Sequence, residues 1–328
     1  MCRRIPILIC AVLAAGCASI APPEWSTALS RDHLLAGRIW NPLAAGYVSP
    51  EFLVESLSDA DLVLLGEKHD NPDHHRLQGW LIDRIASSGR RPAVVLEMVD
   101  EDRQDGLDTW RAGHPSDASG LGPALDWDKS GWPAWREYQP VADAALRHGL
   151  PLAAGNLPTG MSREIGRKGI SALPEARRRR LLLDQPQPAA SRDAMIDIVA
   201  RGHCDLMPRE ALAPMVAVQR ARDAVLADNM LRAIDRPGAD SAVLIAGAGH
   251  ARRDFGVPAA VAAMRPGVRS VSVAFVEVQD GAETPQDYAG QFFADELPFD
   301  FVWFTPRGND RDYCAELRER FSHKKKKP

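Results

Sequence analysis

The chain has 328 residues, with 40 lysines and arginines against 44 aspartates and glutamates, a net charge of −4. That length suits one large domain or two small ones, and the acidic balance argues against a nucleic-acid partner. Beyond the first residues no apolar run is long enough to cross a bilayer as a helix.

The N-terminus reads as a targeting segment over residues 1–16. Arg3 and Arg4 supply a charged start, and Ile5 to Leu13 an apolar stretch too short to span a membrane. Leu13-Ala14-Ala15-Gly16-Cys17 resembles a bacterial lipoprotein processing site. In that pattern Cys17 becomes the acylated first residue, and its acyl chains anchor the protein to a membrane. Residues 17–30 are then a tether. Ala18 follows the cysteine where aspartate would favour inner-membrane retention, which points to the outer membrane, facing the periplasm or the surface. Cys2 and Cys10 leave with the leader, so Cys204 and Cys314 remain. They form either a disulfide, as an oxidising compartment permits, or two free thiols. Neither lies in a CxxCH, which excludes c-type covalent haem attachment.

Leu62 to Leu65 is a short apolar run that reads as a buried strand. Gly66 lets the chain turn, and Glu67, His69 and Asp70 fall in the turn. Asn71 caps a helix that starts at Pro72 and carries Leu77, Leu81 and Ile85 on one face, with His74 and His75 in its first turn. Polar residues there stand at the carboxyl edge of a sheet, where ligands bind in open α/β folds; a polar capping loop is the bland alternative. Ala93 to Met98 is a second strand with Glu97 at its end. Trp127 to Pro140 then crowds three tryptophans and Tyr138 into a Gly/Pro-broken segment, suited to a planar ligand or to packing of a loop. Leu150 to Gly155 is a third strand, closed by Asn156.

Residues 160–233 read as a smaller helical subdomain, clearest from Glu210 to Ile234, where Gln219, Arg222 and Asp223 share a face. Ala242 to Ala246 is a fourth strand leading to His250, Val271 to Val278 a fifth, and Phe301 to Phe304 an edge strand. Lys324 to Lys327 belong to a basic tail, 324–328, expected to lack structure. The fold class is therefore α/β: one domain over 31–323, with a large, mostly parallel sheet flanked by helices and a helical subdomain. If the strands are parallel, Glu67, His69, Glu97 and His250 gather on one edge. Two imidazoles and two carboxylates can hold a divalent first-row metal ion, act as acid and base in hydrolysis, or simply tie loops together.

LLGEKHDNPDHHRLQ, VLEMVDEDRQ, the WD…SGWPAWREYQP segment, LPLAAGN, AVQRARDAVLADNM, IAGAGHARRDFGVP and DFVWFTPR together resemble the ChaN-like haem-binding lipoproteins. These lie in the wider Tiki superfamily, which also holds erythromycin-esterase-like proteins. The resemblance implies an α/β fold, haem binding in iron uptake, and haems stacked between two protomers of a homodimer. It also implies a metal or catalytic site at Gly66, His69, Glu97 and His250. For the family's haem-liganding tyrosine, Tyr138 is the choice because it sits in a shared motif, ahead of Tyr47, Tyr288 and Tyr313, with His203 as a neighbour of the iron. A metal-dependent peptidase or esterase using the Glu/His cluster is the alternative.

Overall fold

The computed structural model describes residues 21–325. The leader, Cys17 and residues 326–328 lie outside the described residues, and no described helix is long and apolar enough to cross a membrane. Among the described residues eight strands form one sheet: β1 Ile39–Asn41, β2 Gly46–Val48, β3 Leu62–Glu67, β4 Pro92–Asp100, β5 Leu152–Asn156, β6 Ser241–Gly247, β7 Ser270–Glu277 and β8 Phe301–Thr305. Their spatial order is β2-β1-β8-β7-β3-β6-β4-β5. β8 through β5 are parallel, and β1 and β2 extend the sheet antiparallel beyond β8.

Eleven α-helices accompany the strands among the described residues: α1 Pro50–Ser58, α2 Pro72–Ser87, α3 Gln104–Gly113, α4 Leu121–Ala124, α5 Trp135–Arg147, α6 Thr159–Lys168, α7 Glu175–Arg180, α8 Ala189–Gly202, α9 Ala213–Ile234, α10 Val257–Met264 and α11 Tyr313–Lys325.

The central strands are buried on both faces, which is why they read as continuous apolar runs. Their period of two still sorts the side chains. Val63, Leu65, Val94, Leu96, Val243 and Ile245 join the core under α2 and α5. Leu62, Leu64, Ala93, Val95, Ala242 and Leu244 join the core under α9 and α10. α2 leaves β3 on one face and α10 leaves β6 on the other, and β3 and β6 are neighbours. The crevice between diverging connections is thus at the carboxyl ends of these two strands, the usual place for a ligand in such sheets.

Several expectations change. Phe301–Thr305 is not an edge strand, because β1 pairs along its outer side. Gly66 is not a turn residue: it lies within β3, paired to Ala246 and Ala274. Its glycine is required by close approach, since a Cβ there would stand 2.8 Å from Ala251 Cβ and 2.9 Å from Ala248 Cα. The segment expected as a tether is docked from Glu24 onward. Asp73 accepts hydrogen bonds from the amides and hydroxyls of Ser26 and Thr27, and Arg76 donates to the Glu24 carbonyl. α11 continues to Lys325, so the basic tail begins as helix.

At the far edge, β5 has its outer backbone groups occupied. Gln104 donates to Leu152 O and accepts from Ala154 N, Asn229 donates to Gly155 O, and Arg236 donates to Leu152 O. Side chains thus blunt an edge that could otherwise recruit another strand. The helical part has its own small core, Leu157, Ile165, Leu173, Leu181 and Leu183 against Ala221, Ala224 and Val225 of α9. The second half of α9, through Leu226 and Met230, packs in the sheet core. A disulfide between Cys204 and Cys314, with Cα atoms 5.5 Å apart, ties the loop after α8 to the start of α11.

Candidate functional site

Glu67 ends β3 with its side chain fully buried. Its Oε1 accepts from the Tyr138 hydroxyl at 2.7 Å and lies 2.8 Å from His69 Nδ1. Its Oε2 is 3.4 Å from His75 Nε2. Burial pushes the carboxyl up, but the adjacent imidazoles of His75 and His69 outweigh it and hold the group well below the ordinary carboxylate range. His69 occupies the turn after β3, its side chain 33% exposed and its ring tilted against Trp132 with centroids 4.7 Å apart. Burial lowers its basicity, and the carboxylates of Glu67 and Glu97 more than restore it, for a net rise.

Glu97 comes one residue after the regular pairing of β4 with β6 ends at Leu96. Its Oε2 accepts from the Gly247 amide at 2.7 Å and lies 3.9 Å from His69 Nε2. Its Oε1 accepts from Arg222 at 2.5 Å and is 3.3 Å from His250 Nε2. Burial would raise this carboxyl; His250, His69 and Arg222 prevail and lower it far. On the other side of His250, Nδ1 meets Asp223 at 2.5 Å. Desolvation opposes charge on His250, but Glu97 and Asp223 together bring its pKa up to about 9. Asp223 is raised by its own burial. Gln219 lies 3.2 Å from His250 Nδ1, and Asn156 accepts from Arg222 Nε at 3.1 Å.

The structure therefore brings Glu67, His69, Glu97, His250, Asn156, Gln219, Arg222 and Asp223 into one network at the carboxyl edge, with His75 behind Glu67. Two carboxylate–imidazole pairs, Glu67–His69 and Asp223–His250, flank Glu97. His74 and Asp70 stand apart. His74 is wholly buried, accepts from Lys68 N and meets Thr305 Oγ1 at 2.8 Å; burial and the nearby His75 bring its pKa down to about 3, so it is neutral. Asp70 accepts from Asn309 at 2.9 Å on the rim.

The divalent-metal expectation does not fit this arrangement. Among the described residues no group of three or more His, Cys, Asp or Glu side chains is disposed to hold a metal ion. The physical reason lies in the donors: Glu67 Oε1 and both oxygens of Glu97 face the Tyr138 hydroxyl, the Gly247 amide and the Arg222 guanidinium, and Arg222 brings a positive charge into the site.

Tyr138 as haem ligand is also corrected. It lies in α5, not in a loop, and is 2% exposed, its ring packed at a tilt against His75, 4.0 Å away, and against Trp127. Burial, and then the negative charge and hydrogen bond of Glu67, hold the phenol far above its ordinary pKa. A phenolate there would face a carboxylate at hydrogen-bond distance. Tyr288 is buried as well. Tyr47 and Tyr313 are exposed, and Tyr313 stands beside Lys68 of the turn after β3, its ring 5.5 Å from the ammonium. The disulfide joins Cys314, next to Tyr313, to Cys204, next to His203. His203 is outside the carboxylate network. Its Nδ1 lies 2.8 Å from the Val199 carbonyl, which fixes Nδ1 as the donor and leaves Nε2 as the basic nitrogen.

Two groups of the site escape a reading of the sequence: Trp132 against His69, and the Gly247 amide on Glu97. The tryptophan lies in a segment whose aromatic content is plain, but a backbone amide leaves no signal.

A family model described as haem-binding uptake, Tiki superfamily, ChaN matches residues 53–261. The chain belongs to this family. Among solved structures, "Cofacial heme binding to ChaN of Campylobacter jejuni" superposes with a TM-score of 0.62 at 22% identity, covering 81% of this chain and 95% of that one. The two share the α/β fold with its mostly parallel sheet. A mutant of the erythromycin esterase EreC in its open conformation follows at a TM-score of 0.46 and 11% identity, over 84% and 99% of the two chains. The type III effector HopBA1 follows at 0.43 and 14%, over 83% and 97%. No curated protein sequence matches the chain.

Proposed function

We propose that this chain is a haem-binding lipoprotein of the bacterial outer membrane that acts in haem or iron uptake, anchored through acylated Cys17. The observation that carries the reading is membership of the haem-binding uptake family over residues 53–261. The solved relative from Campylobacter jejuni is described as binding haem cofacially, and the same arrangement here would pair two protomers, each hiding a porphyrin face of the other. Tyr313 and His203 are the donors that suit ferric haem. Tyr313 is exposed at 41%, a phenolate oxygen is an established haem-iron ligand, and His203 has Nε2 free of its local backbone bond. The disulfide between their neighbours supports a shared position.

The test is a haem titration followed by absorbance, with sedimentation to read the oligomeric state. Tyr313→Phe should remove the tyrosinate-type charge-transfer band and weaken binding, while His203→Ala should shift the spectrum with a smaller loss of affinity. An unchanged spectrum in both variants would overturn the ligand assignment. Absence of any haem spectrum in the unaltered protein would overturn the function.

A second reading rests on a separate observation, the two carboxylate–imidazole pairs flanking Glu97. That arrangement can move protons during hydrolysis of an ester or peptide without a metal. Hydrolysis of activated esters that vanishes in His69→Ala would favour it.

A further inference from the structure

A separate cavity lies away from the carboxylate–imidazole network. It has a volume of about 780 Å³ and lies between the edge of β5, α7 and the second half of α9. Ala153 and Ala154 floor it, and Arg177, Arg180, Arg232 and Arg236 line it, with Glu101 as its one acidic residue. None of these residues belongs to the network around Glu97.

The four guanidiniums are not equivalent. Arg177 pairs with Glu101 on the wall of the cavity. Arg236 is held at two points, by Asp108 at 3.3 Å and by the Leu152 carbonyl at 3.3 Å. Arg180 pairs with Asp228 at 3.1 Å while remaining half exposed. Arg232 is exposed and has no hydrogen bond or ion pair with the other described residues. Two arginines are thus fixed on the wall, and two on the rim can swing inward. A guanidinium presents a planar fork that matches a carboxylate or a phosphoryl group with two parallel hydrogen bonds.

We infer that this cavity binds a compact polyanion carrying at least two carboxylate or phosphoryl groups. One anionic group meets Arg177 and Arg236 against β5, and the other is gripped by Arg180 and Arg232 at the mouth. Neither porphyrin binding nor ester hydrolysis enters this site. The cavity offers no aromatic face, and its polar groups are those of arginine, glutamate, asparagine and glutamine.

Calorimetric titration of the full chain with citrate and, separately, with inorganic pyrophosphate at about 50 mM salt tests the idea. Saturable one-to-one binding of either anion is expected, and a raised melting temperature with it. The anion that binds identifies the group as carboxylate or phosphoryl. Arg232→Ala and the double variant Arg180→Ala/Arg232→Ala should weaken binding at least about tenfold and a hundredfold, the scale of lost charge-assisted hydrogen bonds. Both side chains are on the rim, so the variants should melt as the parent does without anion and should keep the parent haem titration. No saturable binding of either anion up to millimolar concentration, or undiminished affinity in the double variant, would overturn the inference.

Discussion

Tyr138→Phe separates a hydrogen-bond donor to Glu67 from a haem ligand. The substitution keeps the ring, with its contacts to His75 and Trp127, and removes only the hydroxyl that donates to Glu67 at 2.7 Å. Glu67 keeps His69 and His75 beside it but loses its neutral donor. A hydrogen bond to a buried charged acceptor contributes about 1.5–3 kcal/mol. Unfolding entropy is about 2.1 cal/mol/K per residue. Over roughly 300 ordered residues that loss lowers the melting temperature by about 2–5 °C. The assay is thermal melting of both proteins at pH 7, paired with a haem titration of each. The expected result is a lower melting temperature with an unaltered haem spectrum. A variant that melts with the parent but loses its iron charge-transfer band would refute the reasoning, because the hydroxyl would then serve the iron and not Glu67.

Gly79→Ala should cost about 1–3 kcal/mol by overpacking, since a Cβ there stands 2.6 Å from the Pro140 carbonyl oxygen where α2 crosses α5; a denaturant midpoint equal to the parent's would contradict that contact. Stability should fall with rising alkalinity through His250. Its folded pKa of about 9 lies above the ordinary histidine value, so its contribution is complete below about pH 6.5 and is lost as pH passes through about 9. The contribution is on the order of 3 kcal/mol, and His250→Gln should flatten the alkaline limb of a stability–pH profile. Cys204→Ser/Cys314→Ser releases a closed loop of 110 residues in sequence separation and should destabilise by up to about 4.7 kcal/mol. A reductant should shift the melting temperature of the parent but not of this variant.

The parts of the fold most legible in the sequence are those where one physical requirement dominates. β3, β4 and β6 are buried on both faces and so appear as unbroken apolar runs. Asn71-Pro72 marks the start of α2 because cap and first-turn chemistry leave few alternatives. Gln219, Arg222 and Asp223 share a helical face, and all three meet the network. β1 and β2 are three residues each and have too little periodicity to read, which is why β8 passes for an edge.

Tyr138 is hard to place from sequence because Pro140 suggests a broken segment. Pro140 nevertheless lies inside α5, at its sixth residue, where it removes one intrahelical hydrogen bond. The burial of Trp135, Tyr138, Val141, Ala142 and Ala145 follows a helical period that the sequence does contain. Glycine at position 66 carries no hint of whether it serves a bend or a close contact. Only the packing of Ala248 and Ala251 decides that.

α9 has a mechanical consequence. Leu226 and Met230 clamp one end of the rod in the sheet core, and Ala221, Ala224 and Val225 carry the helical part on the same rod. Gln219, Arg222 and Asp223 project from it within two turns of the clamp, a span of roughly 10 Å at 1.5 Å per residue. A displacement of the helical part therefore moves the half of the helix that holds Arg222 against Glu97 and Asp223 against His250.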